Sequence, residues 1–258
     1  MNSDLIVLCY HGISKTWPDQ TSVTPEDFAA QIEALLERGY QAQTFASALV
    51  VPRSPRTFAI TFDDAPLSVY EQAAPILADL GVPATVFVVT ENTTLGKLAA
   101  WDGISHWLGT EHEKELACMS WDQLGVLAEA GWEVGSHTRT HPRLSTLSAD
   151  VVREELEVSR RECEERLGAP CLTIAYPYGE SNLVLAREAQ GAGYMAAATV
   201  PTTATPPFPY LWPRVGVYHG ESARKVQMRA LSRRLGMTPG ARQALSGAGR
   251  VVRSVRRR

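Results

Sequence analysis

The chain has 258 residues, 45% of them hydrophobic and 21% charged, which is enough to bury one sizeable core in one α/β domain. Its four cysteines, Cys9, Cys118, Cys163 and Cys171, show no Cys-x-x-Cys spacing, which argues for buried free thiols and against a zinc knuckle or a disulfide framework. The formal charge of −3 conceals an acidic body, with 14 Lys and Arg against 27 Asp and Glu in residues 1–220, and a basic tail with 11 against one in residues 221–258; so acidic a body argues against nucleic acid as the main partner.

The first apolar run, Leu5 to Tyr10, reads as a fully buried strand ending at Tyr10-His11-Gly12. It is short, lacks a basic lead-in and precedes no small-residue cleavage site, so it is neither a signal peptide nor a membrane span, and a cytoplasmic location is expected. Thr24-Pro25-Glu26-Asp27 opens a helix with a cap residue, a first-turn proline and two acids, and Phe28, Ile32, Leu35 and Leu36 give it one apolar face. Gly39 closes it. A short strand is expected within Tyr40 to Thr44, then a brief helix and a loop marked by Pro52 and Pro55.

Thr57 to Phe62 is the next strand, and it runs directly into Asp63-Asp64-Ala65-Pro66. After a helix from about Ser68 to Leu80, Gly81-Val82-Pro83 leads into the strand Ala84 to Val89. Strand, helix, strand implies parallel pairing. Residues 90–119 read as an irregular insertion able to line a cleft, with His106 and His112 as surface residues. Ser120 caps a helix that Gly131 ends before the strand Trp132 to Ser136. His137-Thr138-Arg139-Thr140-His141-Pro142 follows at once. Two imidazoles four residues apart can turn toward one ion, or can be two solvated loop side chains, and a metal site needs a third ligand from elsewhere.

Ser148 caps a long helix to about Leu167, whose run of charges reads as a solvated face. Leu172 to Ala175 is a strand leading into Tyr176-Pro177-Tyr178-Gly179. A helix from Asn182 to Gly191, a strand near Tyr194 to Thr199, a proline-rich loop from Pro201 to Pro209 and a strand within Leu211 to Tyr218, interrupted at Pro213, complete the body. Residues 1–220 form the expected catalytic domain, and 221–258 a last helix and basic tail. That tail, ending Arg253-Ser254-Val255-Arg256-Arg257-Arg258, could lie against anionic lipid at the inner membrane face or be a solvated terminus.

Seven or eight strands alternating with helices favour a distorted (β/α) barrel of about seven parallel strands over an open sheet. In such a barrel functional residues gather at the C-terminal strand ends, and His11, Asp63, Asp64, His137, His141, Tyr178 and Arg214 all follow strand-like runs. Thr61-Phe62-Asp63-Asp64-Ala65, Gly135-Ser136-His137-Thr138-Arg139-Thr140-His141-Pro142 and Ala175-Tyr176-Pro177-Tyr178-Gly179 resemble, in order and spacing, the signature motifs of the polysaccharide deacetylase family (carbohydrate esterase family 4, the NodB-like domain). Tyr10-His11-Gly12-Ile13 and Arg214 to Tyr218 resemble its branch with an N-terminal Tyr-His motif. The resemblance covers roughly residues 5–220.

By that resemblance the chain is a metal-dependent hydrolase removing N-acetyl groups from an acetamido sugar, in a glycan or in a lipid- or nucleotide-linked precursor. Asp64, His137 and His141 are then ligands of a divalent metal, zinc first, and Asp63 the general base. Tyr178 supplies a backbone N–H to the oxyanion and a ring to the sugar pocket. His11 is the candidate general acid, with His219 as competitor, because no late Leu-x-x-His strand is present. Where many members carry an arginine that braces the catalytic Asp this chain has Ala175, and Arg214 could reach across to do so. An O-acetyl ester or N-formyl substrate would use the same machinery. A carbohydrate-binding protein without catalysis is the reading from another class. No feature of the sequence sets the oligomeric state.

Overall fold

A computed structural model describes residues 5–50, 56–201 and 208–234 of the chain. The basic tail beyond residue 234 and the centre of the proline-rich loop lie outside the described residues.

The apolar runs become parallel strands: β1 (Ile6–Tyr10), β2 (Gln41–Ala42), β3 (Thr57–Phe62), β4 (Thr85–Val88), β5 (Glu133–Ser136), β6 (Thr173–Ala175), β7 (Ala196–Thr199), β8 (Trp212–Pro213) and β9 (Val215–Gly216). Hydrogen bonding runs β8-β7-β6-β5-β4-β3-β1-β9, with β2 beside the start of β3. Because β8 and β9 are separated only by Arg214, they act as one closing stave, and the result is a distorted, nearly closed (β/α) barrel of seven staves. The closing strand breaks at Arg214, not at Pro213 as expected. Pro213 still pairs with Thr199, and the chain changes partner only after Arg214 donates its N–H to Thr199 O, reaching β1 through Val217 N–H to Cys9 O.

Strands buried on both faces are sorted by the two-residue alternation of their side chains. Outward residues such as Leu8, Ile60, Val86 and Ile174 pack against a shell of helices. Inward residues Val7, Ala59, Phe87, Ala175, Ala198 and Trp212 fill the barrel. Gly135 is required there, since a Cβ on it would sit 2.7 Å from the Phe87 ring and 2.8 Å from Thr173 O.

In the shell, α1 (Pro25–Leu36) begins as its sequence dictates, with Thr24 accepting from Asp27 N–H, Pro25 in the first turn, and Phe28, Ile32 and Leu35 buried. α2 (Phe45–Val50) plugs the N-terminal end of the barrel: Phe45 joins the interior cluster, and the half-buried Glu133 carboxylate accepts from Ala46 N–H and the hydroxyls of Thr85 and Thr173. α3 (Ala74–Asp79) is entered through a wide π-type turn at Val69–Ala73, where Pro75 has no N–H to continue the usual ladder. The insertion opens with a helix the polar sequence concealed, α4 (Thr90–Leu95), closed by Gly96 at φ 62°. α5 (Trp121–Glu129) carries a full capping box between Ser120 and Gln123. α6 (Ala149–Leu167) starts after Ser148, whose hydroxyl makes no capping bond. α7 (Leu183–Gly191) is capped by Asn182. α8 (Ala223–Arg234) packs on α1, with Val226 and Ala230 buried in the same core as the barrel's outer face. With one end plugged, the open end of the barrel is where the strands deliver their C-terminal loops.

Candidate active site

The alternation that puts Val7 and Ala59 inside the barrel carries on past the strand ends. It brings Cys9 and His11 from β1, Asp63 from β3, His137 from β5 and Gly216 from β9 to the lining of one cavity of about 450 Å³. Asp64, His141 and Tyr178 join them from the loops.

Asp63 is gripped by Arg214. Nη1 donates to Oδ1 at 2.6 Å and Nη2 to Oδ2 at 2.7 Å, and Nη1 also reaches Thr61 Oγ1 at 3.0 Å. Both residues are buried, Arg214 completely. Burial alone would raise the Asp63 carboxyl, but the charge and hydrogen bonds of Arg214, together with His137 and His11, hold the group well below the usual carboxylate range. Arg214 lies between β8 and β9, so the carboxylate is braced from the closing stave of the barrel. The Cys9 thiol donates to Asp63 Oδ2 at 3.4 Å, and His11 Nε2 lies 4.0 Å from the same oxygen.

Asp64 faces the other way. Its Oδ1 lies 3.4 Å from both His137 Nε2 and His141 Nε2, and it has no hydrogen-bond partner despite being buried. His137 Nδ1 sits 2.8 Å from Ala175 O, a carbonyl that can only accept, so the proton is on Nδ1 and Nε2 presents a lone pair. A carboxylate oxygen turned toward such a lone pair is stable only with a proton or a cation between them. Burial, and then the charge of Asp63, raise the Asp64 carboxyl; burial lowers His137 to about 4. Separations of 3.4 Å match the edge of a tetrahedron built on bonds of about 2.1 Å. Two imidazole nitrogens and one carboxylate oxygen thus form a donor set that fits a zinc-like ion. Among the described residues a second group, Cys9, His11 and Asp63, also brings ligand atoms within 4.8 Å, but Arg214 already occupies its carboxylate.

The backbone is strained where these side chains converge. Among the described residues, those other than glycine with positive φ are Asp64, Ala65, Thr138, His141 and Tyr178, all at the ends of β3, β5 and β6. Such conformations persist only where the surroundings over-determine them. For the histidine loop the determinant is Glu155, whose carboxylate accepts from Arg139 N–H (2.9 Å), Thr140 N–H (3.0 Å) and the Thr140 hydroxyl (2.7 Å). The solvated face expected for α6 therefore fails at this one residue. Its place on the helix was the signal, since Glu155 falls on the buried stripe with Val152, Leu156, Ser159 and Cys163.

Tyr178, at φ 59° and ψ 7°, places its ring 4.8 Å from His141 and 3.9 Å beneath the Arg143 guanidinium, which pairs with Glu180. Trp101 stacks on the His141 ring at 4.1 Å. Cys9 and Trp101 also line the cavity: Trp101 lies in the insertion expected to line a cleft, while Cys9 is expected from sequence only as a buried thiol and belongs to no motif. His219 is exposed, turned toward Ser22 O at 3.3 Å, and does not line the cavity, whereas His11 does. His106 and His112 flank Trp107, away from the cavity.

The sequence profile of the polysaccharide deacetylases matches residues 51–197. Among curated relatives, YxkH of Bacillus subtilis strain 168, assigned to the polysaccharide deacetylases, is 28% identical over 200 residues, covering 76% of this chain and 64% of that protein. The poly-beta-1,6-N-acetyl-D-glucosamine N-deacetylase of Staphylococcus aureus strain MSSA476 is 26% identical over 174 residues, covering 62% and 55%. The chain thus spans less than two thirds of the length of either relative. Among solved structures, the Streptococcus pyogenes deacetylase PplD in complex with acetate superposes with a TM-score of 0.74 at 22% identity, covering 88% of this chain and 97% of that one. IcaB from Ammonifex degensii gives 0.70 at 23% identity, with the same coverage. At these identities the superpositions establish the fold.

Proposed function

Because the chain belongs to the polysaccharide deacetylase family, we propose that it is a metal-dependent hydrolase removing the N-acetyl group from an acetamido sugar, in a glycan or in a lipid- or nucleotide-linked precursor. The observation that carries this reading is the division of labour between adjacent carboxylates: Asp63 is locked on Arg214, while Asp64 is turned onto His137 and His141. The relative acting on poly-N-acetylglucosamine supports an acetamido substrate.

Asp64, His137 and His141 would hold the cation, zinc by their donor set. Bound there it supplies Lewis acidity, polarising the acetyl carbonyl and lowering the pKa of a water toward ~7. Asp63 takes the proton of the attacking water. Its depressed pKa keeps it ionised, and a weakly basic carboxylate suffices when the water is already acidified. The backbone N–H of Tyr178 is the donor assigned to the developing oxyanion, and the ring walls the sugar site. His11 delivers a proton to the leaving nitrogen as the C–N bond breaks, yielding acetate and a free amine. Burial lowers the His11 pKa, which makes its protonated form a better proton donor but a scarcer one, while the Asp63 charge pulls the other way.

The direct test is acetate release, with free amines counted in parallel, from acetylated amino sugars, nucleotide sugars and lipid-linked sugars. Failure of every acetamido compound would remove this reading. For the metal, the intact chain is expected to bind about one zinc and Asp64→Ala none measurable by metal analysis. Glu155→Ala should weaken zinc ~10- to 100-fold in a competition titration with a chromophoric chelator, because it frees the loop that aims the histidines. Equal affinities would sink that assignment.

The basic tail would hold the protein against anionic lipid at the cytoplasmic membrane face. Since α8 contributes Val226 and Ala230 to the core, the truncation that tests this begins after residue 234. Removing residues 235–258 is expected to weaken sedimentation with anionic vesicles and leave zinc binding intact; unchanged sedimentation would discard the membrane role.

A further inference from the structure

Two segments meet above Asp63 and Asp64. One is the loop after β1, residues 12–22; the other is the insertion after α4, residues 96–119. They are tied by hydrogen bonds: Trp107 Nε1 donates to Asp19 Oδ2 at 2.8 Å, and the Ser14 hydroxyl to Glu115 Oε1 at 3.0 Å. They also share a hydrophobic cluster separate from both barrel cores, in which Trp17 packs with Ala99 and Leu116. Trp17 and Trp107 meet edge to face at 6.2 Å. The assembly is anchored below, through Met119 N–H to Ala65 O and Leu67 N–H to Ala117 O, and by the stacking of Trp101 on His141.

β1 and β4 flank β3 in the barrel, so this cap spans the mouth from one side of the two carboxylates to the other. Trp17, Asp19, Trp101, Asp102, Glu115 and Leu116 line the cavity from it. Arg143, Tyr178, Val200 and Tyr218 complete the lining, with Arg143 4.0 Å from the cap's Asp102. A glycan bound at an interior residue needs an exit on both sides of the sugar being cut. A volume of about 450 Å³ lies at the lower end of small-molecule sites and suits one or two sugar rings.

We propose that the cap makes the cleft blind on its β1–β4 side, so that the sugar losing its acetyl group is the terminal residue of a glycan or a single linked sugar, and not an interior residue of a polymer. This rests on the deacetylase reading for its chemistry but on the cap for its substrate class.

The test uses the full chain with zinc and N-acetylglucosamine oligomers of about two to six units carrying a reducing-end label, with the position of each free amine read by fragmentation mass spectrometry. The expected result is amine on one terminal residue only at every length, with kcat/KM for the longest oligomer within about twofold of that for the trimer. Trp107→Ala, which removes the tie to Asp19 and part of the cluster, is expected to admit interior positions. Interior amines in the unmodified chain, or kcat/KM rising more than tenfold with length, would overturn the proposal and leave the deacetylase reading standing. Should neither the oligomers nor the nucleotide- and lipid-linked sugars release acetate, that reading fails and calorimetric binding of the same oligomers decides this one. Equal affinity for trimer and longest oligomer supports a blind cleft; tenfold tighter binding of the longest, or no binding at all, overturns it.

Discussion

Asp63→Asn is expected to lower kcat for acetate release ~10³-fold, within the range general-base catalysis supplies, while zinc still binds. The amide keeps the shape of the carboxylate and cannot take a proton, and Asp64, His137 and His141 are untouched. The substitution has a second consequence. Arg214, fully buried, loses the charge it faces at 2.6 and 2.7 Å, so stability falls as well, and rates must be referred to folded, zinc-loaded protein. A variant that keeps full activity at equal zinc content would defeat the assigned base.

Arg214→Met is expected to be the most destabilising of the substitutions considered, by about 3–5 kcal/mol in denaturant unfolding, because it leaves the Asp63 carboxylate buried without its partner. Asp63→Asn combined with Arg214→Met should recover most of that stability and none of the activity, which separates the brace from the base. The pH dependence has a definite sign. Asp63 is depressed in the folded chain, so the pair's contribution is present above the carboxyl's unfolded value near ~3.9 and is lost as pH falls through the lower folded value. Without the guanidinium, burial is left to raise Asp63, and the acid limb of kcat/KM should move to higher pH. An unmoved limb would mean that Arg214 does not tune the base.

The strained residues explain why Asp63 and Asp64, neighbours in sequence, serve different partners. Asp63 follows the strand alternation inward to Arg214. Asp64 at φ 69° turns away from that path and meets two histidines whose connecting loop Glu155 holds. A side-chain pattern cannot show such a turn, because it depends on backbone conformations that local propensity disfavours and that only the packed loop sustains.

Several features were legible in the residues alone. The apolar runs, their alternation with helices, and the capping signals at Thr24 and Ser120 are local, and local chemistry is enough to place them. The clustering of polar residues at strand ends already located the site. α4 escaped because five of its six residues are polar and it lacks a capping side chain, so nothing periodic announces it.

The parallel barrel and most of the side chains at its open end follow from the linear order of residues, since hydrophobic periodicity acts over a few residues at a time. Tertiary packing alone sets three further features: Arg214 of the closing stave grips Asp63, Glu155 leaves the solvated face of its helix to hold the histidine loop, and the segments after β1 and α4 join into a cap. Each of these joins residues that are neighbours only after the chain has closed, and their energetics depend on burial and distance, which a linear pattern does not contain.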